Sequence, residues 1–257
     1  MNVAAEKSAP APPAANTARS RRFHEFGGWT RLIQILLLLS IGLSIVAIGL
    51  IAGIFQDASA LTGPNVAGLK QKLAVLTIVR LGHLVPGAIA GLALLAWIYM
   101  AYANLPALDA GSMRFSPPIA LLLCLIPVLN IVTIYILLGE IWRESDPGRL
   151  NPAGRSRPSG VTVSFWFLAT LLTLCAAGYD YWMATQGPQP PDLFEATFVG
   201  IWVNALHIMQ SLLLLWIVGT IWVNQVERRS LALQPRKSIA VTRVPEFPGA
   251  ANEGGLP

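Results

Sequence analysis

The sequence predicts an all-α integral membrane protein, a helical bundle of four spanning helices plus a Pro-broken re-entrant helical hairpin. Two observations lead to this fold class. Only 12% of the 257 residues are charged, whereas a soluble domain has about 25% charged residues. The hydrophobic residues, 54% of the chain, are gathered in long blocks rather than spread as amphipathic stripes. A block of about 20 apolar residues is long enough to cross the hydrocarbon of a bilayer as a helix.

Four apolar blocks have the length of a membrane span. The first covers residues 32–55, which favours a signal anchor, because the apolar core of a cleaved signal peptide has only about 7–15 residues. The second covers 73–105, with the span proper at 84–104, and the others cover 161–182 and 198–226. Trp202 and Trp222 would lie about 30 Å apart on one helix. This spacing matches the distance between the two aromatic belts of a membrane.

Polar tails are predicted at both ends of a single membrane domain. Residues 1–29 are rich in Ala, Pro and Ser and carry several Arg residues, and residues 231–257 are rich in polar residues, Pro and Gly. Such segments bury too little apolar surface to fold, so we expect both tails to be disordered. The membrane domain is expected to cover residues 30–230.

One more apolar segment, residues 119–139, lies between the second and third of these blocks. It contains Pro127 in its middle, and a proline breaks a helix interior. The segment either spans as a kinked helix, giving five spanning helices, or re-enters as a hairpin in which Asn130 bonds the freed carbonyls. The chain has 18 Lys and Arg residues, and one of them, Arg80, lies inside an apolar block and is not counted. If the segment re-enters, 15 of the others lie on one face of the membrane and 2 on the other. With five spans and a cytoplasmic N-terminus, 6 lie inside and 11 outside. Because basic residues favour the cytoplasmic side, we expect the hairpin and two cytoplasmic termini.

Residues 97–146 carry a pattern that resembles a known family. The residues that form the pattern are Trp97, Ala101, Tyr102, Asn104, Leu105, Ala107, Leu108, Phe115, Ser116, Pro117, Pro127, Leu129, Asn130, Tyr135, Glu140, Ile141, Trp142, Arg143 and Ser145. They are similar to the bacterial domain-of-unknown-function family 4328. The resemblance implies a multi-helix domain of a bacterial cytoplasmic (inner) membrane, and it brings no known activity.

Polar and ionisable residues inside apolar blocks are costly in a membrane, so they are the candidate functional residues. Glu140 and Arg143 are three residues apart on one helix face. We expect them to pair at the headgroup boundary, as an anchor or a hinge. Arg80 and His83 share another helix face, and Asp180 is a candidate partner of Arg80 on the outer side.

His207 forms a polar ladder with Asn204 and Gln210 that is expected to face the bundle. Such ladders hold helices together through hydrogen bonds, and a ligand or ion pathway is the alternative. His83 and His207 lie at compatible depths for the two axial ligands of a b-type haem. No glycine pattern opens room for a porphyrin, however, so no cofactor is expected.

The sequence contains no catalytic, metal or nucleotide motif. We therefore expect a non-enzymatic interaction or regulatory module of the membrane. Its cytoplasmic face would bind anionic lipid or a membrane protein partner, since Lys and Arg beside apolar blocks meet anionic headgroups. For the same reason nucleic acid is not an expected partner. A small transporter or ligand-binding membrane protein is the alternative, and a b-type haem redox protein is the third.

Overall fold

The computed structural model of the protein describes residues 23–59, 66–108, 113–149, 160–186 and 193–233, and these ranges are helical and contain no strand. Four helices are long, namely α1 (Gly27–Ser59), α2 (Val66–Ala103), α5 (Gly160–Gln186) and α6 (Leu193–Leu233). Two shorter helices, α3 (Pro117–Cys124) and α4 (Pro127–Ser145), come between α2 and α5. Short 3₁₀ helices cover Leu105–Leu108 and Pro147–Arg149.

The four long helices are each long and apolar enough to cross a membrane. The candidate spans are Gly27–Ala58, Gln71–Leu108, Gly160–Met183 and Phe194–Leu233. The predicted all-α membrane bundle is therefore confirmed. The helices are longer than the apolar blocks that predicted them. Helix α6, with 41 residues, is about 61 Å long, twice the thickness of the hydrocarbon.

Helix α1 packs against both α2 and α6. The buried residues of α1, together with Phe26 just before the helix, follow one another at alternating spacings of four and three residues. They are Phe26, Thr30, Ile33, Leu37, Ser40, Ser44, Ala47, Ile51 and Ile54. This repeat is the heptad seam of left-handed helix packing. At one end of the seam, Ile51 packs in a cluster with Leu76 of α2 and Ile201 of α6.

Helices α1 and α6 extend a few residues beyond 30–230, the range predicted for the membrane domain. Helix α1 begins at Gly27, inside the segment expected to be a tail. Phe26 is buried, and its ring centroid lies 5.8 Å from that of Trp97. Helix α6 continues to Leu233. The remainder of the two predicted tails, residues 1–22 and 234–257, lies outside the described residues.

The proline-broken segment forms a helical hairpin. Helix α4 begins at Pro127, and Ile126 before it is extended, with φ −82° and ψ 114°, as the residue before a proline prefers. The Arg114 backbone N–H donates to Glu140 Oε1 at 3.0 Å, although a continuous helix would hold these residues about 39 Å apart. The chain therefore reverses direction. At the turn the backbone N–H of Asn130, rather than its side chain, bonds to the Ile126 carbonyl.

Candidate functional site

A buried polar network lies where the start of α1 and the last turns of α2, α4 and α6 meet. Its members, which we call the end network, have side chains that are at most 2% exposed: Asn104, Ser145, Asn224, Gln225 and Arg228. Buried polar groups are costly unless they are hydrogen-bonded. The end network is thus stable only while all of these helix ends stay together.

Gln225 on α6 connects three helices. Its Nε2 donates to the Ala101 carbonyl of α2 at 3.0 Å and to Ser145 Oγ of α4 at 3.0 Å. Its Oε1 accepts from Asn104 Nδ2 at 3.4 Å. Both N–H groups and the carbonyl oxygen of the amide are therefore used, as expected for a buried glutamine.

Asn104 holds the segment that precedes α1. Its Oδ1 accepts from the His24 backbone N–H at 2.7 Å, and its Nδ2 donates to the His24 carbonyl at 2.9 Å. The C-terminal part of α6 contacts the same segment, because the Arg229 guanidinium lies 4.5 Å from the Phe23 ring centroid and 3.9 Å from Glu25. Both ends of the described chain therefore lie at one end of the bundle.

Arg228 caps the C-terminus of α4. Its Nη1 donates to the Glu144 carbonyl, one of the last carbonyls of a helix, which have no partner within that helix. A guanidinium is also favoured there by the negative end of the helix dipole. The next turn is closed by Asp146 Oδ1, which accepts from the Gly148 backbone N–H at 3.0 Å. The end of α4 is thus fixed against α6.

Glu140 and Tyr102 close the base of the hairpin. Glu140 is 3% exposed and accepts from the Arg114 backbone N–H. The Tyr102 hydroxyl accepts from the Phe115 backbone N–H at 3.2 Å. These bonds hold the residues before α3 against α2 and α4. The expected ion pair with Arg143 is wrong: Arg143 is exposed, and no ion pair joins the two side chains, both of which the structure describes.

A second polar cluster lies inside the bundle and contains two of the predicted candidates. The ring centroids of His83 on α2 and His207 on α6 lie 5.7 Å apart, with planes at 80°. Ser40 Oγ on α1 is 3.2 Å from His207 Nε2. His83 Nε2 and Ser44 Oγ are buried and have no hydrogen-bond partner. We call these four residues the histidine cluster.

The other members of the predicted polar ladder do not join α6 to its neighbours. Asn204 Nδ2 donates to the Gly200 carbonyl of its own helix at 2.8 Å. Gln210 is half-buried, and within the described ranges its side chain makes no hydrogen bond. His207 is therefore the one member of the ladder that contacts polar side chains on α1 and α2 in the described part of the chain.

The end of the bundle opposite the end network is held by ion pairs. Arg80 Nη2 lies 3.8 Å from Asp180 Oδ2, and both side chains are partly exposed, so Asp180 is the partner of Arg80, as the sequence suggested. Lys72 Nζ lies 2.7 Å from Asp57 Oδ2 and donates to the Gly53 carbonyl at 3.3 Å. The two ends of the bundle thus differ: one is closed by a buried network, the other by half-exposed charges.

Sequence reasoning missed most of the end network and the serines of the histidine cluster. Gln225 and Arg228 are three residues apart on one face of α6, and this spacing was the available signal. Ser40 and Ser44 are four apart on α1. Among the residues that the structure describes, no group of three or more His, Cys, Asp or Glu side chains could hold a metal ion.

Comparison with known proteins identifies a family but no relative of known structure. A family model described as Domain of unknown function (DUF4328) matches residues 60–222. The matched range runs from α2 to α6 and includes the hairpin and both histidines. No curated protein and no solved structure matches the chain. Because the family model covers more than half of the chain, the protein belongs to the DUF4328 family, whose function is unknown.

Proposed function

We propose that this is a multi-pass protein of the bacterial cytoplasmic membrane that acts by binding rather than by catalysis, and that its basic cytoplasmic end binds anionic lipid headgroups. One observation supports this most directly. The two ends of the described chain and the base of the hairpin converge at one end of the bundle, through Asn104, Gln225 and Glu140.

The charge distribution supports a cytoplasmic position for that end. Fifteen of the 18 Lys and Arg residues belong to segments that begin or end there, and positive charge favours the cytoplasmic side. Arg143 and Arg229 are exposed or half-exposed at this end. Each basic side chain near an anionic bilayer surface contributes about 1 kcal/mol of attraction. Several together make a surface that prefers anionic lipid.

The hairpin is proposed to be re-entrant. From Glu140 back to Pro127, α4 covers about 20 Å, less than the hydrocarbon thickness of about 30 Å. Leu122 and Leu125 near its tip are 62% and 58% exposed, as suits contact with acyl chains. Backbone groups at membrane depth need partners, and at the turn the N–H groups of Leu125 and Ile126 bond to preceding carbonyls.

Cysteine labelling in intact cells tests the topology. Ser156→Cys, in the connection from α4 to α5, should react with a membrane-impermeant maleimide only after the membrane is opened. Gln189→Cys, in the connection from α5 to α6, is the matched control and should react from outside. A Ser156→Cys protein that is labelled in intact cells would contradict the cytoplasmic position of this end of the bundle.

Nanodiscs of defined composition test the lipid preference. The protein should melt at a higher temperature in discs that contain phosphatidylglycerol than in discs of phosphatidylcholine, because bound ligand stabilises the folded state. The double substitution Arg143→Gln with Arg229→Gln should reduce this difference, whereas Lys70→Gln at the other end should leave it unchanged. A melting temperature that is the same with and without anionic lipid would contradict lipid binding and favour an acidic protein partner instead.

A ligand-binding or transport function is the second candidate, favoured by the unpaired buried atoms of the histidine cluster. A b-type haem is a poor fit to the same place. The spacing of the two rings suits axial ligands, but Ser40 Oγ lies 3.2 Å from His207 Nε2, within the area that a porphyrin would cover. We expect the purified protein to be colourless, and a Soret band in its absorption spectrum would contradict this.

A further inference from the structure

We propose that the histidine cluster binds one monovalent d¹⁰ metal ion, of the Cu(I) class, between the imidazoles of His83 and His207. This site is independent of the lipid preference proposed above, because it lies at the other end of the bundle.

The two rings already have the spacing of a two-coordinate metal site. A metal–imidazole bond is about 2.0 Å long and a ring nitrogen lies about 1.1 Å from its ring centre, so a linear N–metal–N unit separates the centres by about 6 Å. The observed centroid distance is 5.7 Å. The planes stand at 80°, which is compatible because rings rotate freely about the metal–nitrogen bonds. To bind the ion, one ring nitrogen of each histidine turns toward the midpoint between the rings. If that nitrogen is His207 Nε2, it exchanges its contact with Ser40 Oγ, 3.2 Å away, for the metal.

Two members of the histidine cluster have buried polar atoms without partners. His83 Nε2 and Ser44 Oγ have no hydrogen bond, whereas buried polar side chains ordinarily have one. Along α2, His83 lies about 31 Å from Asn104 at the opposite end of the bundle. Along α1, Ser44 lies about 30 Å from His24 at that same end. The two unpaired atoms thus lie at about the same depth on α1 and α2, which pack against each other.

Charge and ligand number restrict the class of ion. The histidine cluster contains no carboxylate, and Asp180 nearby is already paired with Arg80. Two neutral imidazoles leave a divalent charge uncompensated, which is costly in a low-dielectric interior. Zn²⁺ in structural sites also takes four ligands, whereas Cu(I) and Ag(I) accept two. A monovalent, two-coordinate ion meets both conditions.

The histidine cluster is close enough to the membrane surface for an ion to reach it. His207 lies about 8 Å along α6 from Trp202, which is 51% exposed and was assigned to an aromatic belt. His83 is one helical turn from Arg80, whose side chain is 53% exposed. An ion entering beside the ion pair of Arg80 would therefore meet His83 first.

Anaerobic titration of the full-length protein in detergent with Cu(I), against the chromophoric chelator bicinchoninate, tests the proposal. We expect one Cu(I) per chain, competition by Ag(I) and no competition by Zn²⁺. His83→Ala and His207→Ala should each weaken binding at least a hundredfold. Asn204→Ala is the matched control, because this side chain lies one turn from His207 and bonds only to its own helix. That variant should bind as the wild type does.

X-ray absorption spectroscopy of the loaded wild-type protein provides a test that does not depend on the folding of a variant. Two nitrogen neighbours and no sulfur neighbour are expected around the metal. Sulfur neighbours would assign the ion to the cysteines or methionines and overturn the proposal. Absence of stoichiometric uptake, unchanged affinity in both alanine variants, or a preference for Zn²⁺ over Cu(I) would overturn it as well.

Discussion

Gln225→Leu tests whether the end network holds the helix ends together. Leucine keeps a similar volume but removes three hydrogen bonds, to the Ala101 carbonyl, Ser145 Oγ and Asn104 Nδ2. Hydrogen bonds between membrane helices contribute about 0.6 kcal/mol each on average, so the three bonds together contribute about 2 kcal/mol. In a chain of this size we expect the melting temperature to fall by roughly 4–8 °C.

Thermal unfolding of the detergent-purified protein, followed by tryptophan fluorescence, measures this change. Gln210→Leu is the matched control, since Gln210 lies on the same helix and its side chain makes no hydrogen bond within the described ranges. It should melt within about 2 °C of the wild type, because surface-like substitutions change stability by only about 0.5 kcal/mol. The reasoning is refuted if Gln225→Leu melts like the wild type, or if the two variants are equally destabilised.

Three further perturbations address the other features of the bundle. Pro127→Leu removes the restriction that the proline puts on the backbone of Ile126, but it leaves the base of the hairpin intact. We therefore expect about 1 kcal/mol of destabilisation and unchanged labelling in the topology assay. Inverted labelling would show that the proline alone determines the hairpin. His207→Leu should accumulate normally in membranes, whereas His207→Arg should accumulate poorly, because it places an unpaired charge in the bundle; equal amounts on immunoblots would speak against a buried position. A double-mutant cycle on Arg80 and Asp180, read by melting temperature, should give a coupling below about 1 kcal/mol, because the pair is partly exposed; a stronger coupling would mean that lipid shields it from water.

The sequence was sufficient to predict the elements whose signals are local. Apolar blocks predicted the four spans, and the re-entrant topology, which puts Arg80 and Asp180 on the outer side, predicted that the two residues could pair. Pro127, together with the distribution of basic residues, predicted the break between α3 and α4. Each of these inferences depends on helix geometry and on the cost of polar groups in hydrocarbon, which are readable from one chain.

The end network could not be predicted, because its residues look the same in sequence whether they face water or protein. Gln225 and Arg228 follow an apolar block and resemble an ordinary polar flank at a membrane surface. Both are buried because α6 packs against the C-terminal ends of α2 and α4, and these are tertiary contacts. For Glu140, helical spacing suggested Arg143 as the partner, but the residues before α3 approach from the other side and provide a backbone N–H instead.

The heptad seam of α1 was hidden for a different reason. The helix is apolar on nearly all sides, because its outer residues contact lipid and its inner residues contact protein, so no polar face reveals its orientation. Ser40 and Ser44 were therefore unremarkable in sequence. Their position became meaningful only when burial showed that both lie on the seam.

The packing of α1 against α6 has a consequence for how the protein is made. Among the described helices α1 is synthesised first and α6 last, and one side of the α1 seam is completed only by α6. Until then Ser40 has no access to His207, and the polar atoms of the seam face lipid or a membrane insertase. Contacts between such distant parts of a chain form late and slowly. A chain that stops before α6 would thus retain an open groove beside its first helix, which membrane quality-control proteases could recognise as the mark of an unfinished molecule.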